Sequence, residues 1–268
     1  MKKLLFLLLI ASATLFGSDK KQLELNKQLI EAASKGDFSS VEKFIKVGAN
    51  IEATREEIIN DIYVIDTNAL VAAIKNNHEH VVELLLSLGA NPNSVEWKTE
   101  PIIEAIKSNN PNLVRLLLNA GAEINVGDFS DDRPSSQNPL YFAVELKVNE
   151  NFAKNNNEII KMLLEAGAYP NIHNQDNILS TAAKLNKKEV FKLLLEFGAD
   201  PRQQGFFNNN KNFINYMESS KNKDKVQEYK KILEDFEKHK KEIANKLNES
   251  LPNMPSDLVK IVTSYLHK

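Results

Sequence analysis

The chain of 268 residues has no cysteine, which removes disulfides, thiol nucleophiles and thiolate metal sites together. That absence fits any redox compartment. An excess of one charge is missing as well: 34 Lys and Arg stand against 36 Asp and Glu, a formal net charge of −2 and a pI near 6.3. There is therefore no basic footprint for nucleic acid. Catalytic signatures are absent too, with no Gly-rich phosphate loop, no G-x-S-x-G and no H-E-x-x-H. The five histidines are His78, His80, His173, His239 and His267. His78 and His80 lie two apart, so on a helix they point to different sides and make a poor metal pair. Each reads as a solvated or capping residue. No metal or cofactor is implied, and an enzyme is the disfavoured class.

Long apolar runs are confined to the N-terminus. Met1-Lys2-Lys3 is a short basic start, Leu4 to Ile10 is unbroken apolar sequence, and Ala11-Ser12-Ala13 offers an A-x-A cleavage site. This is the three-part layout of a secretory signal peptide. A membrane anchor is the alternative, but Leu4 to Phe16 is short against the ~20 residues of a spanning helix. Residues 1–18 are expected to be a signal peptide, and the mature chain to be exported (periplasmic or secreted). A host cell is the destination if the producer lives inside one. No stable membrane span is expected after cleavage.

What the chain does have is repetition. "VVELLLSLGANPN" at Val81 has relatives at Val41, Leu113, Ile159 and Val190. Each carries an apolar run followed by Gly48, Gly89, Gly121, Gly167 or Gly198, spaced 41, 32, 46 and 31 residues apart. A second block precedes these: "KQLIEAA" at Lys27, "NALVAAI" at Asn68, "EPIIEAI" at Glu100, "NPLYFAV" at Asn138 and "NILSTAA" at Asn177. A period near 33 with insertions marks a stacked array. Asn68, Asn138 and Asn177 stand where helix N-caps are needed, and Pro101 and Pro139 at the first helical position. Ala32, Ala73, Ala105, Ala143 and Ala182 let helices approach, and the leucine pairs of the second helix supply most of the burial. The glycines fit a left-handed helix stop. Asn77, Asn109 and Asn186 stand where Gly36 stands in the first unit, and Asn is the non-Gly residue most tolerant of that conformation.

These two blocks resemble the ankyrin repeat family, whose pattern is T-P-L-H-x-A, then G-H, then V-V-x-L-L-L-x-x-G-A-D-x-N. The resemblance covers about residues 24 to 210 and implies an all-α fold, an ankyrin-repeat α-solenoid, with helical segments at the C-terminus. The His of T-P-L-H is replaced by Ile30, Val71, Ile103, Tyr141 and Ser180. Stability is accordingly expected to lean on apolar stacking more than on hydrogen bonds between units. The organisation expected is a signal at 1–18, an array at 19–210 with insertions near 53–67 and 145–157, and a degenerate capping repeat with further helix at 211–268. Phe213, Tyr216 and Met217 match a first helix, and Val226, Tyr229, Ile232, Leu233, Phe236, Ile243 and Leu247 follow helical spacing in a long second one.

Such arrays bind through the turns that project between units and the concave surface beside them. The implied partner is a protein, met by Tyr63, Trp97, Phe129, Arg133, His173 and Phe206 in those tips. Tyr, Trp and Arg are the residues that dominate interface energetics. The stretch Ala53 to Thr67 reads as a long loop. "LPNMPSDLVKIVTSYLHK" at the C-terminus has a helix with Leu258, Ile261, Val262, Tyr265 and Leu266 on one side. It resembles the opening helix of an F-box-like motif, which implies docking to a ubiquitin-ligase adaptor. The plainer reading is a final helix folded back on the array. A regulatory subunit or an enzyme with an unrecognised site is the remaining alternative.

Overall fold

The computed structural model describes residues 20–250, except 60–61, 94–99, 126–137, 148, 172–176 and 204–212, together with residue 255. The chain forms two compact units, Met1–Glu123 and Ile124–Lys268. In the first, α1 (20–35) and α2 (Phe38–Lys46) precede β1 (Thr54–Ile59) and β2 (Ile62–Asn68). Then come α3 (Ala69–Lys75), α4 (Glu79–Ser87), α5 (Pro101–Lys107) and α6 (Pro111–Asn119). The second holds α7 (Pro139–Glu145), α8 (Glu150–Glu165), α9 (Ile178–Lys184), α10 (Lys188–Glu196), α11 (Phe213–Ser219) and α12 (Lys223–Ser250).

Each unit is two layers of helices. In the first, α3 packs on α5 while α2, α4 and α6 form the other layer. In the second, α9 lies against α7 and α11, and α10 against α8 and α12. The α11–α12 pair thus takes the place of one more repeat, closed by Phe191, Phe213 and Tyr229, whose ring centroids lie 4.9 Å apart from Phe191 to each of the other two.

Local sequence explains the helix ends. The side-chain oxygens of Asn68, Asn138 and Asn177 accept from the N–H groups of Val71, Tyr141 and Ser180. Asp37, Asn110 and Asn149 cap α2, α6 and α8 in the same manner. Second helices stop at glycines with φ between +86° and +100°, and first helices at Gly36, Asn77, Asn109 and Asn186 with φ between +51° and +72°. Between them lies the apolar core: Ala73, Ala105, Ala143, Ala182, Leu85, Leu117, Leu163 and Leu194 are all fully buried.

Three expectations need correction, and one insertion takes a form that the sequence left open. Ala53 to Thr67 is not a loop but an antiparallel hairpin, with Thr54 facing Asn68 at its base and Ile58 facing Tyr63. The insertion near 145–157 is largely helix: α8 has 16 residues where α4, α6 and α10 have 9. In the first unit only one member of each leucine pair is fully buried, Leu85 and Leu117, with Leu86 and Leu118 half-exposed. In the second unit both members are buried, Leu163 with Leu164 and Leu194 with Leu195.

The third correction concerns links between repeats, which are extensively hydrogen-bonded. The residue four positions after Gly48, Gly89, Gly121 and Gly167 reaches the next repeat. Asn93 Nδ2 donates to the Gly121 carbonyl at 3.0 Å and Asn93 Oδ1 accepts from the Glu123 N–H at 2.7 Å. Asn125 clamps the Gly167 carbonyl and Tyr169 N–H, and Asn171 the Gly198 carbonyl and Asp200 N–H, in the same two-bond way. Glu52 holds the corresponding place before Asn93 but has no donor, so it makes one bond, accepting from the Asn91 N–H at 2.8 Å. In the first repeat Gln22 and Asn26 of α1 share the task toward Gly48 and Asn50.

Candidate interaction surface

The clamps and the helix caps bracket every segment in which a binding residue was expected. Trp97 lies between the clamp Asn93 and the start of α5, and Phe129 and Arg133 lie between the clamp Asn125 and the cap Asn138. His173 lies between the clamp Asn171 and the cap Asn177. Phe206 follows Gln203, whose N–H donates to the Asp200 carbonyl at 3.1 Å, and precedes α11. These five residues are outside the described ones. Tyr63 is described only through its backbone, paired with Ile58 in the hairpin. The described residues therefore include the stems of the tips and not the six side chains themselves.

The stems are rigid for identifiable reasons. Asn50, Asn91 and Asp200 each fold their side-chain oxygen onto the N–H two residues on. In the first two this short turn holds Glu52 and Asn93 in place. Asn177 adds a second anchor, donating to the carbonyls of Asp200 and Gln203 at 3.0 Å each.

Two features escaped the sequence reading. First, Lys187, at the N-cap of α10, donates to the Leu146 carbonyl at 2.8 Å and to Asn156 Oδ1 at 2.9 Å. Asn156 is fully buried and its amide donates to the Ala143 carbonyl at 3.1 Å. Partial burial without a carboxylate partner lowers the Lys187 amine to a pKa of about 8. His78 takes a similar place: its Nε2 lies 3.0 Å from the Ser34 carbonyl, and its ring covers Gly36. It stands at the N-cap of α4 without a side-chain cap bond, half-buried, and links to the previous repeat. Second, a groove of about 480 Å³ runs between α10 and α12. Leu195, Ile232 and Phe236 supply its apolar lining, and Lys192, Lys231 and Glu196 stand on its rim. The apolar spacing of α12 was visible in sequence; that only part of it would lie under α10 was not.

Chemically, these arrangements hold backbone in place rather than activate a reacting atom. No group of three or more His, Cys, Asp or Glu that could hold a metal occurs among the described residues. No described helix is long and apolar enough to cross a membrane.

Stacked helix pairs joined through clamped stems define a class, the α-solenoid. The family follows from comparison: a model described as ankyrin repeats, in three copies, matches residues 29–128, and one described as an ankyrin repeat matches 136–175. Together they cover more than half of the chain, which belongs to the ankyrin repeat family. Ankyrin repeats point to a protein–protein interaction scaffold and are generally non-catalytic. No curated protein matches the chain. The α9–α10 pair lies beyond the matched residues, yet it repeats the pattern in full: the Asn177 cap, Asn186 at φ +59°, Gly198 at φ +87° and the Asn171 clamp.

Proposed function

We propose that this chain is exported and binds one partner protein through the tips that follow its clamp residues. The observation that carries this is the common stem: Asn93, Asn125 and Asn171 each clamp the next repeat by two bonds immediately before a tip. Rigid stems reduce the ordering cost of binding, so that the side chains they carry contribute more of their contact energy to affinity. Trp97 and Arg133 are the anchors, and Tyr63, Phe129, His173 and Phe206 are further contact residues. The partner is periplasmic, or a host protein where the producer is intracellular. Support for export is the basic, apolar and small-residue layout of residues 1–18. Nothing among the described residues favours the adaptor role for Leu251 to Leu266.

The test compares the mature full chain with Trp97→Ala and Arg133→Ala in affinity capture, with quantitative mass spectrometry of the retained protein. Each variant should weaken retention about tenfold or more, as truncation of an interface anchor does. Retention unchanged in both would overturn the choice of surface. A mature mass lacking the first 13 to 18 residues is expected, and an intact N-terminus would overturn export.

A further inference from the structure

The first repeat carries positive charge that nothing among the described residues neutralises. Residues 20–46 hold six lysines, no arginine and four acids, an excess of two cations in a chain whose net charge is −2. Lys35 pairs with Glu31 at 2.6 Å and Lys46 with Glu42 at 2.7 Å. The other two acids are engaged as well: Glu24 accepts from Gln28, and Asp37 caps α2. Lys20, Lys21, Lys27 and Lys43 are exposed, and each lacks a carboxylate partner among the described residues.

The same repeat exposes two large apolar side chains. Leu23 is 68% exposed and Val47 60%, although the residue before the stop glycine is only an alanine in two later repeats, Ala120 and Ala166. Gln22 and Gly48 are the sequence neighbours of Leu23 and Val47. The Gln22 amide donates to the Gly48 carbonyl at 2.9 Å, which brings Leu23 and Val47 to one end of the α1–α2 pair. Lys20 and Lys27 lie three before and four after Leu23, and Lys43 lies four before Val47. Both apolar side chains therefore share a helix face with lysine.

We propose that this end of the array docks on an anionic phospholipid surface. Leu23 and Val47 enter the headgroup layer, and Lys20, Lys21, Lys27 and Lys43 face the lipid phosphates. Apolar side chains flanked by lysine are the pattern of interfacial binding. The choice of cation fits as well. A compact ammonium suits the diffuse charge of headgroups, whereas a protein carboxylate is better matched by the arginine fork, which this repeat lacks. The anchors are aliphatic, not the Trp, Tyr or Arg that dominate protein interfaces. A symmetric pair of chains joined here would set the four ammonium groups against their like. The surface uses none of the tip residues.

Co-sedimentation with vesicles tests this, using the chain from Asp19 onward, which keeps every described residue and lacks the apolar N-terminal run. Vesicles of phosphatidylcholine with phosphatidylglycerol should retain it about tenfold or more better than phosphatidylcholine alone, and high salt should release it. Each lysine near such a surface raises binding about fivefold, so Lys20→Ala with Lys27→Ala and Lys43→Ala should lower it about a hundredfold. Leu23→Ser with Val47→Ser should lower it about tenfold and leave the salt dependence in place. All five side chains are exposed, so urea unfolding should not change. Lys230→Ala with Lys238→Ala, exposed on α12, should bind as the unaltered chain does. No retention on phosphatidylglycerol, equal retention on both lipids, undiminished binding in either variant, or an equal loss in the α12 control would overturn the proposal. So would binding to poly-glutamate that falls in the lysine variant and ignores the serine variant, which would assign the surface to an acidic protein. The vesicles contain no protein, so failure here leaves the reading of the tips standing.

Discussion

Gly36 owes its identity to a neighbour in the next repeat. A Cβ there would sit 2.6 Å from His78 Nδ1, inside the imidazole that reaches the Ser34 carbonyl. At Gly121, which is also left-handed, a Cβ would meet nothing within 4 Å. Gly121→Ala therefore bears only the backbone cost, about 1–2 kcal/mol. Gly36→Ala adds an overpacking cost of about 1–3 kcal/mol. Urea denaturation should show the larger loss at Gly36, and His78→Ala in the same chain should recover part of it; equal losses at the two glycines would refute the contact. Left-handed backbone at Asn77, Asn109 and Asn186 was legible because it depends on residue type alone. The His78 contact was not, since it joins residues of two repeats. Lys187 gives a second prediction at this scale. Its amine is held near 8 when folded and near 10.5 when unfolded, so between those values the unfolded chain binds more protons. Stability should rise with pH across about 8 to 10.5 through this group, and below 8 its desolvation cost remains in full. Lys187→Met should remove that share of the slope, read as the difference between the two proteins' stability–pH curves. Parallel curves would show that the amine is not shielded.

Caps decide the elements, and they differ in what they hold. The exposed Asn149 caps α8 through one bond, from the Phe152 N–H at 3.1 Å. Asn177 is buried and combines its cap on α9 with two bonds to the Asp200 and Gln203 carbonyls. Asn149→Ala should cost about 0.5–1 kcal/mol. Asn177→Ala should cost about 2 kcal/mol or more, because it also strands partly buried carbonyls. Thermal or urea unfolding orders the two, and a reversed order would mean that the Asp200–Gln203 stem does not depend on the Asn177 amide. The capped first helices were readable because Asn stands three residues before the N–H it satisfies. The hairpin was not: "TREEIINDIYVIDTN" places Ile58 beside Ile59 and runs apolar from Ile62 to Ile65, so it lacks the alternation of a half-buried strand. The extension of α8 was hidden too, because the Asn155-Asn156-Asn157 run has low helix propensity. Tertiary bonds from Asn156 to Ala143 and Lys187 hold it.

At the scale of the molecule, an array stands by its intrinsic repeats and the interfaces between neighbours. The interface was half legible. Its apolar part followed from periodicity, and its polar part was present in plain view as the Asn four residues after Gly89, Gly121 and Gly167. Spacing alone gave that Asn no role, since the carbonyl and N–H it joins belong to the following repeat. The candidate surface was less legible still: sequence placed the tips, and the structure added their stems, while the groove beside α12 depends on how far α10 reaches. Within the second unit the clamp makes a sharp prediction. Asn171 supplies two bonds between the repeats of α7–α8 and α9–α10, at 2.8 Å each. Exposed bonds of this kind contribute about 1 kcal/mol apiece, so Asn171→Ala should weaken the unit by about 2 kcal/mol. The loss should also be directional. Removing an interface term frees the repeats on one side to open without the other, so amide exchange should quicken in α9 and α10 more than in α7 and α8. Uniform acceleration through all four helices would mean that this unit opens only as a whole and that the clamp adds stability without defining a seam.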